Sequence, residues 1–336
     1  MIEGSQPVES SDVSRTRRGG RWRRSAWLAI GLALVLLGGY VAGALVVYDQ
    51  LTAIGESCLD RSDPTSFTVE GVDTDAHHLP PAVEARFPSR DDGDVTIAAS
   101  WFPAAASPDV PTVILVHGLG GCRHGARDLL AAGMLYRHGI AVLMVDLRDH
   151  GDSSREDGRF AGGTDEYRDV LGGWDWLRSQ GVPESRIGLL GFSLGAATTM
   201  IAMGREPRVA AIWADSAYGD IREAIRDELD RNGYPTILAP GGVLAARVLS
   251  GDDLDSHSPL ETTTLLDGRP IALTHGLLDE RIDVRYAYQL AASVAAHGQV
   301  AELWVVPDAH HTEALILHPA EYEQRLAEFF LRVLGL

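Results

Sequence analysis

Chemistry concentrates at three places in this chain, each where an apolar run stops. The first is Ser193, in Gly191-Phe192-Ser193-Leu194-Gly195. It follows the apolar run Ile187–Leu190 and opens a helix-patterned stretch, Leu194–Met203. A strand that becomes a helix within so few residues needs glycine on both sides of the turn. The turn holds the hydroxyl above the sheet, at the positive end of the helix. A serine there is a candidate nucleophile; its blander role is to cap the helix. Such a pentapeptide is common by chance in a glycine-rich chain, so the strand before it and the helix after it carry the weight.

The second place is His117-Gly118-Leu119-Gly120-Gly121, after the run Val113–Val116. Glycines let backbone N–H groups face a cavity, which a developing oxyanion requires; the expected donors are the amides of Leu119 and Leu194. His117 is expected to order this loop, not to move protons. The third place supplies a base and an acid. His310 and His311 follow the run Leu303–Val306, and either could accept the Ser193 proton. Asp279, in His275-Gly276-Leu277-Leu278-Asp279, and Asp215, after Val209–Trp213, are the carboxylates available to orient that base. Asp146, Asp220 and Asp283 read better as turn or helix-cap residues.

The elements that must position these groups alternate along the chain. Apolar runs at Val113–Val116, Ala141–Val145, Ile187–Leu190, Val209–Trp213, Ile271–Thr274 and Leu303–Val306 have the character of strands covered on both faces, as in a parallel sheet. Helices are expected over Ala126–Arg137, Asp165–Ser179, Leu194–Met203, Val284–Ala296 and Ala320–Val333. Phe67–Val72 and Val95–Phe102 are expected to pair antiparallel at the sheet edge. The pattern predicts one doubly wound α/β domain with a mostly parallel sheet. Residues 219–268 interrupt it with an amphipathic stretch (Ile221–Leu229), Gly-Tyr-Pro and Pro-Gly-Gly punctuation, and a short helix near Val243–Leu249. This insertion is a candidate lid.

With these pieces in this order, residues 111–334 resemble the α/β-hydrolase superfamily. They look closest to its small-lidded bacterial esterases and to the prolyl-oligopeptidase and acyl-thioesterase-like branches. The matching segments are His117 to Gly121, Asp146-Leu147-Arg148-Asp149-His150-Gly151-Asp152-Ser153, the turn at Ser193, His275-Gly276-x-x-Asp279, and His311. The resemblance implies a triad in the order Ser193, Asp279, His311. It favours Asp279 over Asp215 through the His-Gly-x-x-Asp pattern. It favours His311 over His310 because the family's Pro-Gly-Ala-Gly-His aligns with Pro307-Asp308-Ala309-His310-His311. Asp308 and His310 stand where glycines are usual, and so does Asp149.

Composition bounds the rest. The chain has 336 residues and a net charge of −18, yet residues 1–25 are positive, with six arginines against three acids. An acidic body repels phosphate backbones, so nucleic acid is not an expected partner. Trp27–Val47 is 21 residues without a charge, long enough to cross a bilayer as a helix. Arginines precede it and Asp49, Glu56 and Asp60 follow it, which places the N-terminus in the cytoplasm and the catalytic domain outside. A cleaved signal peptide is the competing reading, but its apolar core would be shorter.

The expected organisation is therefore a basic tail (1–26), an anchor (27–47), a stalk (48–65) and an α/β-hydrolase domain (66–336). Cys58 and Cys122, the only cysteines, could pair outside the cytoplasm, although sequence gives no distance between them. No His-Glu-x-x-His, phosphate loop or dinucleotide fingerprint is present, so neither a metal nor a cofactor is expected. The expected activity is hydrolysis of carboxylic esters, with lipid or acyl thioester substrates included. A serine peptidase of prolyl-oligopeptidase type and a non-catalytic binding scaffold are the alternatives.

Overall fold

The computed structural model describes residues 1, 4, 16–90, 92–297 and 299–335; most of the expected basic tail, residues 2, 3 and 5–15, lies outside the described residues. In chain order the strands are β1 (Val83–Ser89), β2 (Asp92–Phe102), β3 (Thr112–Val116), β4 (Ala141–Val145), β5 (Ile187–Phe192), β6 (Ala211–Asp215), β7 (Pro270–Gly276) and β8 (Gln299–Val306). The helices are α1 (Thr16–Thr52), α2 (Ala126–Arg137), α3 (Tyr167–Ser179), α4 (Leu194–Arg205), α5 (Ile221–Arg231), α6 (Ala239–Leu249), α7 (Pro259–Thr262), α8 (Arg285–His297), α9 (Ala314–Leu317) and α10 (Pro319–Val333).

The strands form one sheet in the order β1-β2-β4-β3-β5-β6-β7-β8. Strands β4, β3, β5, β6, β7 and β8 run parallel, and β2 is antiparallel to both β1 and β4. Every residue of β3, β4, β5 and β6 is buried, because helices cover both faces. Trp174 and Leu177 of α3 and Met200 of α4 fill one side with Leu143 and Leu189. Leu130 of α2 and Tyr322, Phe329 and Phe330 of α10 fill the other, with Trp213 at the centre. The result is a mixed, largely parallel α/β sheet, preceded by one long apolar helix.

Three expectations change. Phe67–Val72 is not an edge strand: it makes only a single bridge, Val69 to Val72, around Gly71 at φ +81°. Its Phe67 and Val69 are buried as a packed loop instead. The edge is β1, whose Ala85, Phe87 and Ser89 point inward between exposed Glu84, Arg86 and Pro88. Second, the stalk expected at 48–65 is held against the domain. Helix α1 continues to Thr52, the Phe160 N–H donates to the Thr52 carbonyl (2.9 Å), the Ile54 N–H donates to Gly158 (3.0 Å), and Cys58 is bonded to Cys122. Third, Pro240-Gly241-Gly242 is not punctuation ahead of the insertion's second helix but part of its first turn, where the missing N–H of Pro240 is harmless.

Candidate active site

Ser193 occupies the turn between β5 and α4 with φ +54° and ψ −116°. Such a backbone is strained for a residue with a side chain, by about 1–3 kcal/mol, and needs surroundings that enforce it. They do so by close approach. A Cβ on Gly191 would sit 2.3 Å from the Gly195 carbonyl oxygen, and one on Gly195 would sit 2.3 Å from that of Val116. The Ser193 N–H is tied to the Asp215 carbonyl at 2.8 Å, fixing the turn to β6.

The structure brings Ser193, His311 and Asp279 together. Ser193 Oγ lies 2.8 Å from His311 Nε2, and His311 Nδ1 lies 2.7 Å from Asp279 Oδ2. The three residues come from loops after β5, β8 and β7, so the parallel register sets their spacing. Asp279 also accepts the N–H groups of Arg281 and Ile282, both at 2.9 Å. Burial would raise its carboxyl, but hydrogen bonds from His275, His311 and the Ile282 N–H prevail and hold it well below the usual carboxylate range. Asp279 is therefore charged at any ordinary pH.

His310 is exposed, and its backbone N–H donates to Glu313 at 3.1 Å. Asp215 is fully buried and turned away, accepting from Tyr322 Oη and Ser216 Oγ at 2.9 Å each. Thus neither alternative's side chain makes a hydrogen bond to Ser193 or His311 among the described residues; Asp215 meets Ser193 through its backbone carbonyl alone.

Gly118 lies against the serine: a Cβ there would be 3.4 Å from Ser193 Cβ. Leu119 and Leu194 both border the space around Ser193, and neither N–H donates to a loop or turn acceptor among the described residues. Two histidines brace this loop. His117 Nε2 accepts the Leu147 N–H (3.2 Å), so its Nδ1–H donates to the Gly118 carbonyl (2.8 Å). His150 Nε2 accepts the Gly120 N–H (3.2 Å), and its Nδ1–H donates to Arg148 (2.9 Å). Burial and then the neighbouring His150 push His117 down to about 4, so it stays neutral. Burial likewise lowers His150.

Sequence reasoning gave no role to His150 or His275. The imidazole of His275 is buried, donates to the Ile282 carbonyl at 2.7 Å, and lies 3.3 Å from Asp279 Oδ2. Burial would lower it, but the Asp279 carboxylate and the Ile282 carbonyl prevail and raise it above its ordinary value. Its place in His-Gly-x-x-Asp was the available signal. The Asp146 loop has a role too, since its carboxylate holds buried Arg123 and the Arg123 and Asp152 N–H groups.

Space opens on both sides of Ser193. One cavity of about 150 Å³ is mainly apolar, with Leu51, Tyr218, Ile221, Ile225, Leu254 and Ile282 in its walls. A second, also about 150 Å³, is more polar and includes Arg127, Asp128, Arg281 and His311. A larger one of about 660 Å³, beside the Cys58–Cys122 bridge, contains none of the three residues. Among the described residues no group of three or more His, Cys, Asp or Glu is arranged to hold a metal.

A largely parallel sheet in this strand order, with the serine turn at a strand's carboxyl end, defines an α/β-hydrolase fold. Within that class the chain belongs to the prolyl oligopeptidase family, which its residues 130–336 match. An esterase of Pyrococcus furiosus superposes with a TM-score of 0.62 at 22% identity, covering 84% of this chain and 100% of that one. An acylaminoacyl peptidase of Pyrococcus horikoshii gives 0.55 at 18% identity, covering 76% of this chain and 42% of that one. By sequence, an uncharacterized 31.7 kDa Escherichia coli protein from the traX-finO intergenic region is 28% identical over 130 residues. That match spans 38% of this chain and less than half, 45%, of the relative. Fold and family are those of hydrolases acting on ester or peptide bonds.

Proposed function

We propose that the protein is a membrane-anchored serine hydrolase that cleaves esters of apolar acyl groups, thioesters included, through an acyl-enzyme on Ser193. One observation carries this reading: the unbroken line from Asp279 through His311 to Ser193 Oγ. His311, oriented by charged Asp279, takes the hydroxyl proton as Oγ attacks the substrate carbonyl. The Leu119 and Leu194 amides receive the oxyanion. The leaving alcohol or thiol departs with the proton from His311, and water repeats the sequence to free the acid. The apolar cavity is the acyl side and the Arg127–Arg281 cavity the leaving-group side.

The anchor is α1, whose residues Trp22–Thr52 have the length and apolarity to cross a bilayer. Arginines on one side of it support a catalytic domain outside, and the Cys58–Cys122 bridge supports an oxidising compartment. Family membership favours a second reading, a serine peptidase of prolyl-oligopeptidase type.

A fluorophosphonate probe on membranes should label the wild-type protein and not Ser193→Ala; labelling of the alanine variant would refute the nucleophile. A panel of esters, thioesters and peptide amides with matched acyl groups then ranks the readings. Turnover of amides above esters would make the protein a peptidase, and no turnover with no labelling would make it a scaffold.

A further inference from the structure

The insertion between β6 and β7 packs on α1, and the fit is close enough to demand glycine. A Cβ on Gly242 would meet Val47 Cγ1 at 2.6 Å, one on Gly241 would meet Ala44 Cβ at 2.7 Å, and one on Gly43 would touch Leu238 at 3.1 Å. Small residues let helix backbones approach in this way inside and beside membranes. Tyr40 Oη also donates to the Ile237 carbonyl at 3.3 Å, and Ala44 and Val47 are buried in the contact.

This contact has a depth attached to it. Tyr40 lies seven residues before the end of the uncharged run at Val47, so at 1.5 Å per residue it is about 10 Å inside the apolar layer. Ile237 must sit beside it. Its side chain does not face protein, being 73% exposed. From there α6 runs alongside α1 toward the helix end, Gly241 against Ala44 and Gly242 against Val47, so the exposed Leu244, Val248 and Leu249 lie level with and past the edge of the apolar layer. Ile237 extends the apolar surface of α1, where Leu36, Leu37, Val41 and Leu45 are exposed as well. An apolar surface that continues a membrane span, at a depth fixed by that span, belongs with lipid and not with water.

The same helix end also borders the reaction site. Gln50, Leu51, Thr52 and Ala53, directly after the buried contact, line the apolar cavity that reaches Ser193. We propose that the Ile237 end of the insertion lies in the bilayer leaflet beside α1, and that the acyl chain of a bilayer-resident ester enters the Ser193 cavity from there. This rests on reading α1 as a span and Ser193 as an esterase nucleophile.

The full chain in phosphatidylcholine vesicles tests both halves. A polarity-sensitive fluorophore is placed on single added cysteines at Val41, Ile237 and Ser179, and lipids spin-labelled on their acyl chains serve as quenchers. Ser179 is exposed at the end of α3, on the opposite end of the sheet from Ser193. The label at Ile237 should be quenched comparably to Val41, with Ser179 unaffected. If Val41 is quenched while Ile237 behaves like Ser179, the cap placement is overturned and the span stands. If Val41 is not quenched, the span itself falls.

For the substrate, Ile237→Asp should slow hydrolysis of p-nitrophenyl palmitate held in the vesicles by about tenfold while leaving soluble p-nitrophenyl acetate unchanged. Equal loss on both esters, or loss on neither, overturns delivery from the bilayer. Failure of the unaltered protein to hydrolyse either ester overturns the esterase reading.

Discussion

Ser193 and Asp279 follow strands whose side chains are buried almost throughout, and their neighbours leave them no second position. The cap over them, formed by the 219–268 insertion, has a thin buried stripe, Ile221, Ile225 and Leu229 on α5 with Ala239, Gly242 and Ala246 on α6. Its other faces are charged or apolar and exposed. The sheet gets its order from its own core, whereas the cap borrows order from α1. On the proposed function, geometry for bond-breaking is thus separated from geometry for substrate choice, and damage to one region should leave the other standing.

The largest effect that would sharpen this contrast is on the rigid side. Asp279→Asn should lower kcat by about 10³–10⁴-fold with the fold intact, because His311 loses its orienting carboxylate. Asp215→Asn should cost about 1–3 kcal/mol of stability through its contacts with Tyr322 and Ser216, with far less effect on turnover. Equal kinetic losses in the two variants would break the assignment. Next comes the cap. Gly242→Leu should destabilise the α1–α6 contact by about 1–3 kcal/mol. Limited proteolysis should then cut within 219–268 well before the sheet, and simultaneous digestion of both would show that they are one cooperative unit.

A smaller effect is expected at Cys58→Ser. It should loosen the segment after α1 and the loop at Gly120, to which the Cys58 N–H donates at 3.0 Å. The Tm should fall and thiol titration of the denatured variant should show one free sulfhydryl, where the wild type shows none. The smallest is at His275. Its folded pKa is raised, so the proton it gains on folding stabilises fully below the unfolded value of about 6.5 and is lost as pH climbs through the raised value. His275→Gln should cost about 1 kcal/mol near pH 5. The gap to wild type should narrow as the medium turns alkaline, in denaturant titrations across that range. A gap that widened instead would reverse the sign given to His275.

The parallel strands and their helices were legible because buried strands read as unbroken apolar runs. The turn at Ser193 was legible because its glycines flank a strand-to-helix switch. Strand β1 was hidden by Glu84, Arg86 and Pro88, which interrupt its apolar residues, while Phe67–Val72 imitated a strand but was bent by Gly71. The pairing of Cys58 with Cys122 and the bracing of Gly120 by His150 depend on loops distant in sequence, with no periodicity to announce them. Gly241 and Gly242 read as helix breakers because sequence cannot show the second helix that makes small residues necessary there.

The last turn of α1 both ends the apolar helix and walls the Ser193 cavity. If α1 anchors the protein as proposed, the enzyme cannot be shed by proteolysis as a working soluble form, since the cut that frees it would also open its pocket. Its catalytic capacity should then scale with the area of membrane it occupies and not with the volume of the surrounding fluid.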